Sequence, residues 1–313
     1  MRLKPIDIGG LKTENNVFLA PLAGYTNAVF RSMCFKLGAG LTFTEMVSAK
    51  GLCYDSAKTR DLLKLPPEYS GINACQLFGN DPEIMRRAAE SGELENYPLI
   101  DINMGCPVPK IYKNGEGSAL LNNFPLAAEI ISECKKSGKR ISVKFRIGLD
   151  NSSICGVEFA KNCADAGADM ICVHGRTRDK MYSGEVNFNE IAKIKQAVDI
   201  PVIANGGVFS KSDADLLMER TGADGVEVAR GALYAPWIFS EICGISFNER
   251  KKAVKNQLDL TFEYYDYKFA LVFMRKMIAF YTRGIENASK YKERLYKCAS
   301  KEQIEEILSE LSI

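Results

Sequence analysis

Residues 99–107 read Leu-Ile-Asp-Ile-Asn-Met-Gly-Cys-Pro, an apolar run that ends in a turn carrying an amide and a thiol. Seven similar runs are spaced along the first three quarters of the chain, and they begin near Val17, Leu41, Asn73, Ile141, Met170, Val202 and Gly225. Strands that alternate with helices eight times are typical of a TIM barrel, whose reactive groups gather at the C-terminal ends of the strands. The sequence therefore predicts an α/β fold, a (β/α)8 TIM barrel, with one mouth that collects the polar clusters at the ends of the runs: Pro21, Glu45, Gln76, Asn103, Lys144, His174, Asn205 and Arg230.

The C-terminal quarter of the chain does not follow this rhythm. The chain has 313 residues, whereas a barrel of this type needs about 250. After Trp237 the apolar residues recur at helical spacings, for example at Phe273, Met277 and Phe280. We therefore predict a catalytic barrel domain over residues 1–243 and an all-helical domain over residues 244–313.

Charge is nearly balanced over the whole chain but not locally. The formal net charge is +2, with 26% charged residues, so the molecule as a whole has no electrostatic signature. Residues 268–301 differ, because they hold nine Lys or Arg against two Glu and are interleaved with Tyr281, Tyr291 and Tyr296. A basic helical surface with aromatic residues is typical of a protein that binds a nucleic-acid backbone. A merely soluble helical surface is the alternative.

Composition excludes several classes of protein and site. The chain has no apolar stretch of about 18 residues and no signal-peptide pattern, so we expect a soluble, cytoplasmic protein without a membrane contact. His174 is the only histidine, which excludes a zinc or iron site built on several imidazoles. The ten cysteines are scattered without a Cys-x-x-Cys pair, and we therefore expect buried thiols and no metal.

Cys106 differs from the other cysteines because it follows a predicted strand on a sharp turn, close to Asn103. As a nucleophile the thiol would need a base, and the only imidazole lies two strands away. As a proton donor it needs no activation, since a thiol with a pKa near about 8.5 is protonated at pH 7. We favour a general acid, and a buried, inert thiol is the alternative.

The connection between the fourth and fifth predicted strands is unusually long. Residues 110–117 within it mix charged side chains with two glycines. Long βα loops of a barrel are usually functional. We predict a loop that closes over the substrate, with a solvated surface loop as the alternative.

Two glycine-containing turns follow the last two predicted strands, Asn205-Gly206-Gly207 and Ala229-Arg230-Gly231. TIM barrels commonly bind phosphate at this place. Backbone N–H groups at glycines and one guanidinium can together surround an anion. The two turns therefore predict a phosphate-binding site.

Three further side chains, Gln76, Lys144 and His174, are predicted to point into the same mouth. A flavin ring needs a cation near its pyrimidine edge and amide or imidazole donors that hold the ring in place. Together with a phosphate site, these side chains predict flavin mononucleotide (FMN) as the cofactor.

On these residues the chain resembles the tRNA-dihydrouridine synthase family. The resemblance spans nearly the whole chain and rests on residues 20–27 with Phe30 and Arg31, 76–79, 101–110, 173–178 with 181–184, 204–207 with 230–232, and Arg275, Lys276 and Tyr281 in the tail. It implies an FMN enzyme that takes hydride from NADPH and reduces the 5,6 double bond of particular uridines in tRNA. It also implies that Cys106 protonates carbon 5 of a uracil base that is flipped onto the flavin.

The resemblance further implies which residues hold each ligand. The cofactor-binding residues would be Pro21, Leu22, Ala23, Gln76, Lys144, His174, Asn205, Gly206, Gly207, Ala229 and Arg230. The substrate-binding residues would be Asn103, Arg176, Arg178, Arg275 and Lys276. The expected partner is tRNA, and we expect a monomer.

Two other functions are alternatives to this one. An FMN barrel similar to dihydroorotate dehydrogenase would act on a free pyrimidine and would not need the basic tail. A non-catalytic RNA-binding barrel that has lost its cofactor would be colourless after purification, whereas a flavoprotein would be yellow.

Overall fold

Ten strands form a short hairpin and a closed barrel in the computed structural model, which describes residues 2–312 apart from the side chain of Lys58. The strands are β1 (Asp7–Ile8), β2 (Leu11–Lys12), β3 (Val17–Leu19), β4 (Leu41–Ser48), β5 (Asn73–Phe78), β6 (Leu99–Met104), β7 (Arg140–Arg146), β8 (Met170–His174), β9 (Val202–Asn205) and β10 (Gly225–Val228). β1 and β2 pair as an antiparallel hairpin, and β3 to β10 close a parallel barrel in chain order. The predicted TIM barrel is confirmed, and only the fifth barrel strand begins one residue earlier than predicted.

The prediction that the second barrel strand ends at Glu45 was wrong. β4 continues to Ser48, and its pairing with β5 shifts register between Phe43 and Met46. An extra residue in one strand bends that strand and turns a side chain in a new direction. Glu45 lies at this irregularity, and its carboxylate accepts a hydrogen bond from the backbone N–H of Gly24 in the turn after β3.

Helices surround the barrel as its alternating pattern requires. They are α1 (Ala28–Lys36), α2 (Ala49–Cys53), α3 (Ala57–Asp61), α4 (Pro82–Ala89), α5 (Pro109–Lys113), α6 (Phe124–Lys135), α7 (Gly156–Asp165), α8 (Phe188–Ala197), α9 (Lys211–Thr221), α10 (Arg230–Tyr234) and α11 (Ile238–Cys243). Local capping begins several of them. The Asp81 carboxylate accepts from the N–H of Ile84 at the start of α4, and Ser210 caps α9 in the same way.

Residues 110–117, predicted to form a loop that closes over the substrate, contain the end of one short helix and the start of another, and their closure over a substrate stays a prediction. Helix α5 ends at Lys113, and a 3₁₀ helix follows over Gly117–Asn122. The backbone between them turns through Gly115 and Gly117, whose φ angles are +76° and +60°. The segment therefore forms two short helices that pack above the C-terminal end of β6.

The barrel interior changes from apolar to polar along its axis. The β1–β2 hairpin closes its lower end. Apolar side chains of the hairpin segment and of the barrel strands pack together there: Ile6, Ile8, Phe18, Leu41, Phe43, Ala74, Leu99, Met170, Cys172 and Ile203. Residues of one strand alternate between the two faces, so Asp101 and Asn103 face the interior together with Leu99. The interior is consequently packed at its lower end, and its polar side chains lie towards the mouth.

Four more helices complete the chain: α12 (Arg250–Tyr264), α13 (Tyr267–Tyr281), α14 (Ala288–Lys297) and α15 (Lys301–Glu310). Gly244, with φ +70°, ends α11 immediately before them. The helical tail contacts the barrel through aromatic pairs, with ring centroids 5.7 Å apart for Tyr234 and Phe280. The predicted helices are confirmed, and the domain boundary at residue 244 stays a prediction. Within residues 2–312, no helix is long and apolar enough to cross a membrane.

Candidate active site

A cavity opens at the barrel mouth, and most of the predicted site residues line it. They come from the ends of different strands and from the turns that follow them: Pro21, Leu22, Ala23, Gln76, Asn103, Cys106, Lys144, His174, Arg176, Asn205, Gly206, Gly207, Ala229 and Arg230. The structure thus brings together every residue predicted to bind the cofactor, the predicted acid and two residues predicted to bind substrate. Arg178, Arg275 and Lys276 do not line this cavity.

The turn after β9 is shaped to receive an anion. Gly206 and Gly207 have φ angles of +123° and +77°, a region that favours glycine. A Cβ atom at Gly206 would lie 3.0 Å from Val186 Cγ2 and 3.1 Å from His174 Cδ2. Among residues 2–312 we find no acceptor for the N–H groups of Gly206, Gly207 and Val208. These free donors, with Arg230 at the same cavity, fit a phosphate group.

Lys144 is held by a carboxylate that sequence reasoning missed. Lys144 Nζ lies 2.9 Å from Glu227 Oε2 and donates to Asn205 Oδ1 at 3.1 Å. The pKa of Lys144 is raised: burial opposes its charge, but Cys172 and Glu227 favour it more strongly. Glu227 lies between two valines of β10. An acidic residue within an apolar strand could have indicated, from the sequence, a buried carboxylate with a charged partner.

His174 is neutral at physiological pH. Burial lowers its pKa well below the usual value, and the positive charges of Arg146, Lys144 and Arg176 lower it further. Arg176 Nη1 lies 3.3 Å from His174 Nε2. A guanidinium can only donate, so Nε2 accepts and the ring proton is on Nδ1. The rest of the Arg176 guanidinium donates to the carbonyl of Gly184 at 3.0 and 2.9 Å.

The turn that carries Cys106 is held by side chains on both sides. Asn103 Oδ1 accepts from the N–H groups of Gly105 at 3.2 Å and Cys106 at 2.9 Å. The Cys106 carbonyl accepts from Ser118 Oγ at 2.8 Å. Burial raises the pKa of the Cys106 thiol, although the N–H of Val108 and the charge of Arg146 act against that rise. Cys106 is therefore a protonated, partly buried thiol at neutral pH.

Arg146 is a second residue that sequence reasoning missed. It is 3% exposed. Its Nε donates to the carbonyl of Gly105 at 3.0 Å, and its Nη1 donates to the carbonyls of Thr177 and Met181 at 3.0 and 2.8 Å. Burial lowers its pKa to about 10, so it remains charged. Arg146 links the turns after β6 and β8. It follows Lys144 by two residues on one strand, so the two side chains face the same side, and this spacing could have identified Arg146 as a site residue.

Asp101 is the third missed residue and lies beneath the cavity. Its two carboxylate oxygens accept from Gln76 Nε2 at 2.6 Å and from Ser142 Oγ at 2.7 Å. Burial raises the pKa of Asp101 to about 7, although these two hydrogen bonds act in the opposite direction. The charge of Glu227 also raises the pKa of Asp101, and the charge of Lys144 lowers it.

We expect Asp101→Asn to make the protein more stable at pH 8 than the wild type. In the unfolded chain Asp101 ionises near pH 4, but in the folded protein only near pH 7, so the folded state binds more protons between these values and loses stability as pH rises. The variant lacks that loss. The free energy of unfolding of the variant, relative to that of the wild type, should rise by at least about 1 kcal/mol between pH 4.5 and pH 8. Urea unfolding at both pH values measures this difference, and a difference independent of pH would contradict the assignment.

The remaining predicted substrate residues make contacts within the chain. The guanidinium of Arg178 lies 3.7 Å from the ring centre of Tyr112. Arg275 Nη1 donates to the carbonyls of Tyr296 and Cys298, both at 3.0 Å. Lys276 Nζ donates to the carbonyl of Gly24 at 2.7 Å. Their contact with RNA stays a prediction.

The tail is less basic in the folded protein than its local sequence suggests. Arg294 pairs with Glu310, Lys301 pairs with Asp259 at 2.6 Å, and Lys297 pairs with Glu293 at 2.6 Å. Two of these acids lie outside residues 268–301, so the local count of charges missed them. The positive charge available to a partner is correspondingly reduced.

The cysteines lie apart from one another in the described residues and form no disulfide there. All ten are free thiols. In the described part of the chain, no group of three or more His, Cys, Asp or Glu side chains is placed to hold a metal ion.

Known proteins with similar sequences agree in their family. The family model described as Dihydrouridine synthase matches residues 18–312. The tRNA-dihydrouridine synthase B of Pasteurella multocida is 34% identical over 290 residues, which cover 89% of this chain and 87% of that protein. A probable tRNA-dihydrouridine synthase 1 of Synechocystis sp. is 36% identical and covers 98% of this chain and 89% of its own length.

Among solved structures, a morphinone reductase variant in complex with tetrahydroNAD has a similar fold. Its TM-score is 0.58 at 14% sequence identity, and the match covers 78% of this chain and 91% of that chain. This likeness shows the barrel alone. The matches in sequence go further and cover nearly the whole length, and the chain therefore belongs to the dihydrouridine synthase family.

Proposed function

We propose that this protein reduces the 5,6 double bond of uridines in tRNA to give dihydrouridine, with FMN as cofactor, NADPH as reductant and Cys106 as proton donor. The observation that carries the proposal is the mouth cavity, which is lined by a protonated thiol, a glycine turn with free N–H donors and a fixed ammonium. The names of the relatives support the substrate.

The donor set of the cavity fits FMN. Gly206, Gly207 and Arg230 would hold its phosphate, and Gln76 and Lys144 would hold the pyrimidine edge of its ring. When bound, FMN supplies the hydride that adds to carbon 6 of the uracil. We also propose that the protein acts as a monomer in the cytoplasm, where tRNA and NADPH occur together.

Cys106 completes the addition. Carbon 5 of the uracil takes the proton of the Cys106 thiol, which becomes a thiolate and regains a proton from solvent. The N–H of Val108 and the charge of Arg146 both favour the thiolate, so they would stabilise the charge that develops on sulfur. Burial keeps the thiol protonated until that step.

Incubation of the purified protein with NADPH and unmodified tRNA tests the proposal. We expect a yellow protein and dihydrouridine in the tRNA, and no reduction of free uridine or orotate under the same conditions. Reduction of a free pyrimidine without RNA would favour the dihydroorotate dehydrogenase-like alternative. A colourless protein that binds tRNA would favour the non-catalytic one.

We expect tRNA binding to weaken steeply with salt, and Arg283→Gln to reduce the slope of log K against log salt by about one. Arg283 is exposed on the helical tail, 4.1 Å from the ring centre of Tyr234, and close to Phe209, which lines the cavity. Filter binding at several salt concentrations measures the slope. Lys161→Gln, at an exposed lysine of α7, is the control and should leave the slope unchanged. An unchanged slope for Arg283→Gln would remove this residue from the RNA surface.

A further inference from the structure

We propose that Asp101 is a positioning residue that holds the Cys106 turn through the side chains of Gln76 and Asn103. The inference rests on the proposed role of Cys106. It concerns a residue that touches neither the thiol nor the cavity surface, since Asp101 is 1% exposed and is absent from the cavity lining.

The contacts form one continuous chain of hydrogen bonds. Gln76 Nε2 donates to Asp101 Oδ2 at 2.6 Å, and Gln76 Oε1 accepts from Asn103 Nδ2 at 2.8 Å. Asn103 Oδ1 then accepts from the backbone N–H groups of Gly105 at 3.2 Å and Cys106 at 2.9 Å. Two amide side chains therefore connect a buried carboxylate to the backbone of the predicted acid.

The donor-to-acceptor direction of these hydrogen bonds is fixed at both ends of the network. An ionised carboxylate can only accept a hydrogen bond, and a backbone N–H can only donate one. Each amide between them is thus left with one orientation that satisfies both neighbours. Gln76 and Asn103 are buried, at 1% and 9% exposure, so water is poorly placed to replace a lost partner. Removing the acceptor at Asp101 should consequently loosen the turn that carries Cys106, at the other end of the network.

Ser142 provides a matched control within the same network. Its hydroxyl donates to the other oxygen of Asp101, at 2.7 Å, and lies on a branch that does not lead to Cys106. Loss of this hydroxyl removes one hydrogen bond from Asp101 but leaves all links from Asp101 to Cys106 in place.

Alkylation of Cys106 by iodoacetamide at pH 8, followed by peptide mass spectrometry, tests the inference on the protein as purified. Asp101→Leu should raise the alkylation rate at least about fivefold, because a freed turn exposes the thiol; this factor corresponds to about one lost hydrogen bond. Asp101→Asn should stay within about twofold of the wild type, since its carbonyl oxygen can accept the same bond. Ser142→Ala should also stay within about twofold.

A wild-type rate in Asp101→Leu, or an equal rise in Asp101→Asn or Ser142→Ala, would overturn the inference. Should Asp101→Leu fail to fold, Asp101→Ala removes the same acceptor with a smaller side chain, and it must then show the rise or the inference fails. The assay contains neither NADPH nor tRNA. Its result therefore stands apart from the reduction of tRNA, which tests the proposed function.

Discussion

Cys106→Ala should lower dihydrouridine formation by a factor of about 10²–10⁴, the usual contribution of a positioned general acid. The loss follows because the thiol is the group that supplies a proton to carbon 5, and its burial keeps it protonated at neutral pH. Oxidation of NADPH by the flavin does not need that proton. We therefore expect the rate of flavin reduction in the variant to remain near that of the wild type.

Stopped-flow absorbance measures the NADPH step, and mass spectrometry of digested tRNA measures the product. Cys155→Ala is a suitable control, since Cys155 is also a partly buried free thiol but lies at the start of α7, outside the cavity lining. It should retain full activity in both steps. A full yield of dihydrouridine in Cys106→Ala would remove the proposed role.

Glu227→Leu should reduce the free energy of unfolding by about 3–5 kcal/mol, as expected when one partner of a buried ion pair is removed. The side chain of Glu227 is 1% exposed and that of Lys144 is 15% exposed, so little water can replace the lost carboxylate. The unpaired ammonium would then remain in the barrel interior.

The double variant Lys144→Met with Glu227→Leu should recover much of this loss, because neither charge is left without its partner. It should nevertheless bind FMN poorly, since it lacks the ammonium proposed to face the ring. Urea unfolding of the variants, together with the slope of each transition, measures the effect. A double variant less stable than Glu227→Leu would contradict the pairing.

The barrel and the lining of its mouth could be predicted because both depend on local patterns. Each strand appears as an apolar run, and the fold brings the ends of all eight barrel strands to one place. The turns at Gly206 and Arg230 therefore lie in the same cavity as Cys106, although about 100 or more residues separate them from it in the chain.

The charged partners inside the barrel could not be predicted in the same way. The pair of Lys144 and Glu227 spans β7 and β10, and its formation depends on strand register and on how far each side chain extends into the interior. The contact of Glu45 with Gly24 depends on the irregularity within β4. The neutralisation of Arg294 by Glu310 depends on how α14 and α15 pack. None of these relations is visible in local spacing.

An anaerobic single turnover tests the central claim most directly. The purified protein is first reduced until its flavin absorbance is bleached and is then mixed with unmodified tRNA. The account predicts that the absorbance returns and that dihydrouridine forms in an amount equal to the flavin. Absorbance that stays bleached, with no dihydrouridine in the tRNA, would contradict it.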